Sequence, residues 1–256
     1  MSLSNCRSLQ LMRVSLRMRR LSRLELPLEG RQSLYVRSKK CSSAEVARKM
    51  WKPFRSSSEI EPVVSTLERM AGPRQRCAYC SDSHASDVDH FKPIASYHKL
   101  TFAWSNFMWV CTPCNRKKGA KFPVDTNGHP LLIDPTKVDP WKHLTLDTES
   151  GVIAPRYMGD GFDLFGDKTL ETLPTINYEA VAEGRKRICR RVRAAVDVVN
   201  VDPTREAIND LLSEVSQDDV GVSRWFGFWE GAGEPEMVVL KQTRHRIWRR
   251  FLRACV

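Results

Sequence analysis

Residues 77–118 read CAYCSDSHASDVDHFKPIASYHKLTFAWSNFMWVCTPCNRKK, and this stretch decides the fold. Two Cys-x-x-Cys pairs, Cys77/Cys80 and Cys111/Cys114, enclose thirty residues in a chain with only four other cysteines. Each pair can present two thiolates to one ion, and four thiolates satisfy a tetrahedral Zn²⁺. Pairing of the same cysteines as disulfides is the alternative. The close spacing, and the absence of any mark of secretion, favour the metal.

Within the bracket, Asp87-Val88-Asp89-His90-Phe91 reads as a short strand, its polar Asp89-His90 pair flanked by apolar Val88 and Phe91 and closed by Pro93. Asn106 follows among Phe102, Trp104, Phe107 and Trp109, and Met108 to Cys111 reads as a second strand. Thr112 can cap a helix whose first position is Pro113 and which stops at Gly119. The expected order is strand, long loop, strand, short helix.

On these residues the stretch resembles an HNH nuclease of the ββα-metal class, in the subgroup stapled by a four-cysteine zinc. The motifs that carry the resemblance are Cys77-x-x-Cys80, Asp89-His90, Asn106 and Cys111-x-x-Cys114-Asn115-x-x-Lys118. Asn115 stands where many relatives have a third-motif His. The resemblance implies roles. His90 is the general base, Asn106 orients it, and Asp89 with Asn115 holds a catalytic divalent ion. Cys77, Cys80, Cys111 and Cys114 hold a structural zinc, and Lys118, Arg116 and Lys92 contact phosphates of the nucleic acid.

The chemistry agrees with those roles. Phosphodiester hydrolysis needs an activated water, and a His with an ordinary pKa of about 6.5 is suited to take its proton. Asp and Asn offer hard oxygen ligands of the kind Mg²⁺ or Mn²⁺ prefers, and a divalent ion neutralises charge at the phosphate. A zinc with four thiolates has no open position and is structural. The blander readings are a satisfied structural histidine at position 90, or a zinc ribbon that binds nucleic acid without catalysis. His84 and His98 read as exposed loop residues.

The chain has 256 residues, of which 41% are hydrophobic, enough for one sizeable core or two small ones. No apolar run reaches the length of a membrane span, and thiols used for metal imply a reducing cytoplasm. Cys6, Cys41, Cys189 and Cys255 show no metal spacing. The formal net charge is +11, which suits nucleic acid, but it is unevenly placed. Residues 1–57 carry 14 Lys+Arg against 3 Asp+Glu, whereas residues 58–172 carry 13 against 15. Charge is therefore weaker support for the function than the motif.

Residues 1–23, with six Arg and no acid, read as a basic N-terminal arm, similar to a transit peptide or amphipathic segment; the alternative is translation starting at Met12 or Met18. Arg19 to Leu28 reads as a short strand. Residues 24–125 form the expected nuclease core with its preceding helices. One such helix opens on the capping box Ser42-x-x-Glu45 and ends at Pro53; the next opens on Ser58-x-x-Glu61 and ends at Gly72. Residues 126–175 read as loops and short strands, with a hairpin between 143 and 157. Residues 176–256 form a basic helical region. There Asn177 caps a helix to about Val199, Asp202-Pro203 starts another, Trp225 to Trp229 lie in a Gly-rich loop, and a last helix covers about Glu236 to Ala254.

The run Leu132-Ile133-Asp134-Pro135, with Asp139-Pro140 and His143-Leu144, gives a second resemblance: it is similar to the segment after the HNH core in nucleases of Septu-type and retron-associated anti-phage systems. That resemblance implies work beside an ATPase subunit. This chain itself has no nucleotide-binding glycine loop. The expected class is α+β: a zinc-stapled ββα core flanked by mostly helical elements. The expected protein is a metal-dependent endonuclease acting on nucleic acid, DNA first, as effector of an anti-phage defence complex. The alternatives are a zinc-ribbon binding module without catalysis, or a stand-alone restriction or mobile-element nuclease.

Overall fold

A computed structural model describes residues 21–82 and 84–255. Cys6, Met12 and Met18 lie outside the described residues, as does the basic arm except for residues 21–23. Residues 21–27 form no strand; they lead into a helix the sequence did not announce, α1 (Leu28–Ser38). α1 carries Gly30 in its first turn, where a side chain would press on Leu26 and Pro62.

α2 (Ala44–Phe54) is capped by Ser43, not Ser42: its Oγ accepts from Val46 N at 3.2 Å. Pro53 does not end this helix but sits in its last turn. Ala47, Trp51 and Phe54 recur at helical spacing and are all buried. A single 3₁₀ turn over Ser58–Ile60 replaces the second expected capping box and leads into α3 (Glu61–Ala71). Val63, Leu67 and Met70 of α3 face inward, and Gly72 at φ 82 ends it.

β1 (Asp87–His90) and β2 (Phe107–Val110) pair antiparallel, with Asp87 opposite Val110 and His90 opposite Phe107. All four β2 residues are buried, and α3 packs against the strand. α4 (Thr112–Lys118) follows and packs on β1. Its N-cap is Cys111 and no side chain caps it; Thr112 is already inside the helix. Gly119 at φ 50 stops it as expected. Strand, strand and helix thus form the ββα unit.

The expected hairpin is present as β3 (Leu144–Leu146) and β4 (Ile153–Pro155), turned at Gly151 with φ 74. A Cβ on Gly151 would meet the Ala182 carbonyl oxygen at 2.0 Å, so this position has room for glycine alone. α5 (Leu164–Thr172), capped by Asp163, was not expected.

α6 (Glu179–Val201) is the long helix, with Ile188, Val192, Val196 and Val199 buried. Asn177 does not cap it; its amide instead brackets Ile153 of β4, accepting at 2.9 Å and donating at 2.7 Å. α7 (Arg205–Ser216) is capped by Thr204. The aromatic cluster is helical, α8 (Val222–Phe228), and buries Trp225 and Phe226 in the core. The final helix is broken at Arg244 into α9 (Pro235–Thr243) and α10 (His245–Ala254). One contiguous hydrophobic core runs from Leu26 to Cys255. Mixed helices and small sheets make the class α+β, and no helix among the described residues is long and apolar enough to cross a membrane.

Candidate active site and zinc cluster

The four-cysteine cluster is assembled at the ends of the β1–β2 ribbon. The turn carrying Cys77 and Cys80 is tied to β2 by Ala78 N donating to Trp109 O at 2.9 Å. Ser81 closes that turn in the left-handed region at φ 61, its N–H donating to Cys77 O at 3.0 Å. Cys111 leaves β2 directly, and Cys114 follows in the first turn of α4. The four Sγ atoms lie within 4.8 Å of one another, all four residues are buried, and none forms a disulfide.

A Zn–S bond of about 2.3 Å implies a tetrahedral S–S edge of about 3.8 Å. Cys80 and Cys111 stand at that separation, 3.8 Å. Tyr79 N donates to Cys77 Sγ at 3.4 Å, and the Thr175 hydroxyl lies 3.0 Å from Cys114 Sγ, so the sulfurs also have outer partners. The donor set and spacing fit zinc, and with four thiolates the site is closed. Cys41, Cys189 and Cys255 are buried free thiols in the core.

His90 ends β1 and is buried against aromatic rings. The Trp51 ring meets it edge-on at a centroid distance of 4.5 Å, and the Phe107 ring at 5.3 Å. Its Nε2 lies 2.8 Å from the Thr101 carbonyl oxygen. A carbonyl can only accept, so Nε2 carries the hydrogen and Nδ1 keeps the lone pair. Burial lowers the His90 pKa to about 4, the Thr101 carbonyl opposes this, and the charge on Lys118 reinforces it. The ring is therefore neutral near pH 7 with one nitrogen free to accept a proton.

Asn106 does not touch the His90 ring. Its Oδ1 accepts from Lys92 N at 2.8 Å, and its Nδ2 donates to Lys92 O at 3.0 Å and Leu100 O at 3.1 Å. It thus ties Lys92, at the start of the loop that carries Thr101, to Leu100, the residue just before Thr101. The expected direct contact is replaced by one through the backbone.

Asp89 and Asn115 are not brought into contact either. Asp89 is buried, with Oδ2 at 2.9 Å from Lys118 Nζ and 2.8 Å from the Tyr79 hydroxyl. Burial raises its pKa, while Lys118 and Tyr79 pull it back. Asn115 instead donates to Asp87 Oδ2 at 3.0 Å. Asp87 and Asp89 alternate along β1 on the same side, so two carboxylates and an amide lie along one strand–helix seam. Hard oxygens of this kind suit Mg²⁺ or Mn²⁺, and on that ground the donor set fits a divalent ion.

Lys118 is not a surface cation. It is fully buried and also donates to His90 O at 2.6 Å, so it binds α4 to β1 and cannot reach a phosphate in this arrangement. Arg116 is exposed at the same helix, and Lys92 is half-buried with its Nζ 5.0 Å from the Tyr97 ring centroid. His84 is exposed; His98 is half-buried and gives its carbonyl to Thr101 Oγ1 at 2.7 Å. The sequence reading missed Thr101, Tyr79, Trp51 and Asp87. Three of these act through packing or hydrogen bonds to residues distant in sequence, and Thr101 acts through a main-chain oxygen that no side chain betrays.

Residues 77–121 match the family model described as HNH endonuclease. Over 103 residues the chain is 31% identical to the Septu protein PtuB of Bacillus thuringiensis. That match covers 38% of this chain and 35% of the relative, so it spans about a third of the relative's length. No solved structure matches the chain.

Proposed function

We propose that this chain is a divalent-metal-dependent endonuclease that hydrolyses phosphodiester bonds of nucleic acid, DNA foremost. The observation that carries the reading is the His90 ring: neutral, with Nε2 spent on the Thr101 carbonyl, at the end of the strand that also carries Asp87 and Asp89, in a segment that matches the HNH endonuclease model.

In this reading His90 Nδ1 takes a proton from the attacking water. The Thr101 carbonyl holds the tautomer, and Trp51 and Phe107 hold the ring plane. Asp89 and Asn115 would bind the divalent ion, with Asp87 as the neighbouring donor already in contact with Asn115. That ion supplies charge neutralisation at the scissile phosphate and at the leaving oxygen. Arg116 and Lys92 meet flanking phosphates. Lys118 serves by neutralising buried Asp89 and fixing the helix to the strand.

The likeness to the Septu protein supports a place in an anti-phage defence complex, and there we propose an ATPase subunit as partner and the cytoplasm as the setting. The test is incubation of the purified protein with plasmid DNA and with RNA, with Mg²⁺, with Mn²⁺, and with EDTA. Nicking that requires the divalent ion supports the nuclease. Salt-sensitive binding with no cleavage under any of these conditions, even with the co-purifying partner added, would leave the zinc-ribbon binding module instead.

A further inference from the structure

Two helices of this chain are rich in arginine, and the fold treats them differently. On α6, Arg185 is buried and donates to Gly151 O at 2.7 Å and to Ile176 O at 2.8 Å. Arg187 pairs with Glu183 at 3.2 Å, and Arg191 with Glu214 at 2.6 Å. Arg193 is held by Glu149, Glu234 and Glu236. Most of the cations of α6 are thus used inside the molecule.

α10 is the opposite case. Residues 237–256 contain six Lys+Arg and no acid. Arg246, Arg249, Arg250 and Arg253 are all exposed, and none forms an ion pair with any described residue. Their spacing is i, i+3, i+4, i+7, which at about 100° per residue confines them to an arc of about 100°. Trp248 and Phe251 lie on the other side of the helix and are buried. The stripe therefore presents four guanidiniums over about two helical turns of about 5.4 Å each.

This arrangement works against the helix itself. Like charges at i, i+3 and i+4 repel. The first turn has Arg246 and no acid, and Arg244 stands at the N-cap without a side-chain cap, so cations sit at the positive end of the dipole. Arg253 Nε donates to Arg249 O at 3.2 Å, but no carboxylate among the described residues pairs with any of the four. All four are Arg, whose planar fork suits phosphate oxygens better than a lysine point charge does.

We propose that the exposed face of α10 is a backbone-tracking surface for nucleic acid, with Arg246, Arg249, Arg250 and Arg253 each meeting a phosphate. The inference rests on the nuclease reading for the identity of the polyanion and adds a surface distant in sequence from residues 77–121. Contacts of this kind position the duplex or single strand without reading its sequence.

The test uses full-length, zinc-loaded protein carrying His90→Ala, with no added Mg²⁺ or Mn²⁺ and no chelator, so that binding is scored apart from cleavage. Fluorescence anisotropy follows labelled duplex DNA, single-stranded DNA and RNA of one length between about 50 and 200 mM salt. Replacing the four arginines by Gln is expected to reduce the slope of log K against log salt by about 3 to 4 on duplex DNA. Binding should weaken at least about tenfold at the lower salt. The control Arg187→Gln/Arg191→Gln on α6 should leave the slope unchanged. Because the four side chains are exposed and form no ion pair with a described residue, and Arg253 Nε has only an exposed bond to Arg249 O at 3.2 Å, the quadruple variant should unfold at about the same temperature or higher. The arm with the largest loss identifies the form of nucleic acid that α10 follows.

An unchanged slope in all three arms overturns the proposal, as does absence of salt-dependent binding in the starting protein. Retained nucleic-acid binding with loss of an acidic protein partner overturns it as well and assigns the stripe to that partner. Failure of plasmid cleavage with the binding result intact would defeat the nuclease reading and leave the tracking surface standing.

Discussion

His90 Nε2 lies 2.8 Å from the carbonyl oxygen of Thr101, a residue on the loop that Asn106 clamps at Lys92 and Leu100. The His90 ring is thus oriented by main chain, and Asn106 acts on it at one remove.

Asn106→Ala removes three hydrogen bonds and leaves the Lys92 and Leu100 carbonyls without their side-chain partner. A stability loss of about 1–3 kcal/mol is expected, with a fall in cleavage rate of up to about 100-fold as Thr101 drifts and the ring with it. Thermal unfolding and single-turnover cleavage measure the two effects. A full-rate Asn106→Ala protein would show that the loop does not position the base.

The four-cysteine cluster, read as a zinc site, predicts a sharp contrast between cysteines. Cys111→Ser should lose the metal and unfold the ββα unit, because a structural zinc supplies on the order of 10 kcal/mol of apparent folding free energy. Cys189→Ser, also buried but outside the cluster, should keep it. Metal content by mass spectrometry, with one zinc per chain expected, and circular dichroism distinguish the two. Equal zinc in both variants would contradict the assignment.

Lys118→Met strands the Asp89 carboxylate in the interior. Breaking a buried pair by removing one partner costs about 3–5 kcal/mol, so the variant should unfold well below the parent in denaturant titration. A phosphate-contacting lysine would instead lower nucleic-acid affinity with little change in stability.

Burial also sets a pH expectation. His90 is drawn down to about 4 from an ordinary value near 6.5. In the proposed role His90 would work only when unprotonated, so activity should hold from pH 8 down to about 5 and fall as pH drops toward 4. An unburied base would already lose half its rate near pH 6.5. The pH–rate profile under single-turnover conditions separates the two.

The parts legible in the sequence were those with local chemistry. The spacing of Cys77/Cys80 and Cys111/Cys114 announced the cluster, and Val88, Phe91 and Met108 marked the strands around it. Gly119 and Gly72 ended helices where expected because each takes a positive φ. What stayed hidden depended on distant partners. Asn177 looks like a cap but is bonded to Ile153, a residue brought to it by the hairpin. The break at Arg244 has no Pro or Gly to mark it. α1 has Gly30 in its first turn and a weak apolar pattern, so its helix owes more to packing near Pro62 than to its own sequence. Lys118 reads as a surface cation in a basic run, and only the fold shows it turned back on Asp89.

The most direct measurement compares wild type with His90→Ala in divalent-dependent plasmid nicking, after both are shown folded and zinc-loaded. Nicking by wild type is expected in Mg²⁺ or Mn²⁺ and none without an added divalent ion, with loss of at least about 100-fold in the variant. Cleavage by folded His90→Ala at the wild-type rate would contradict it.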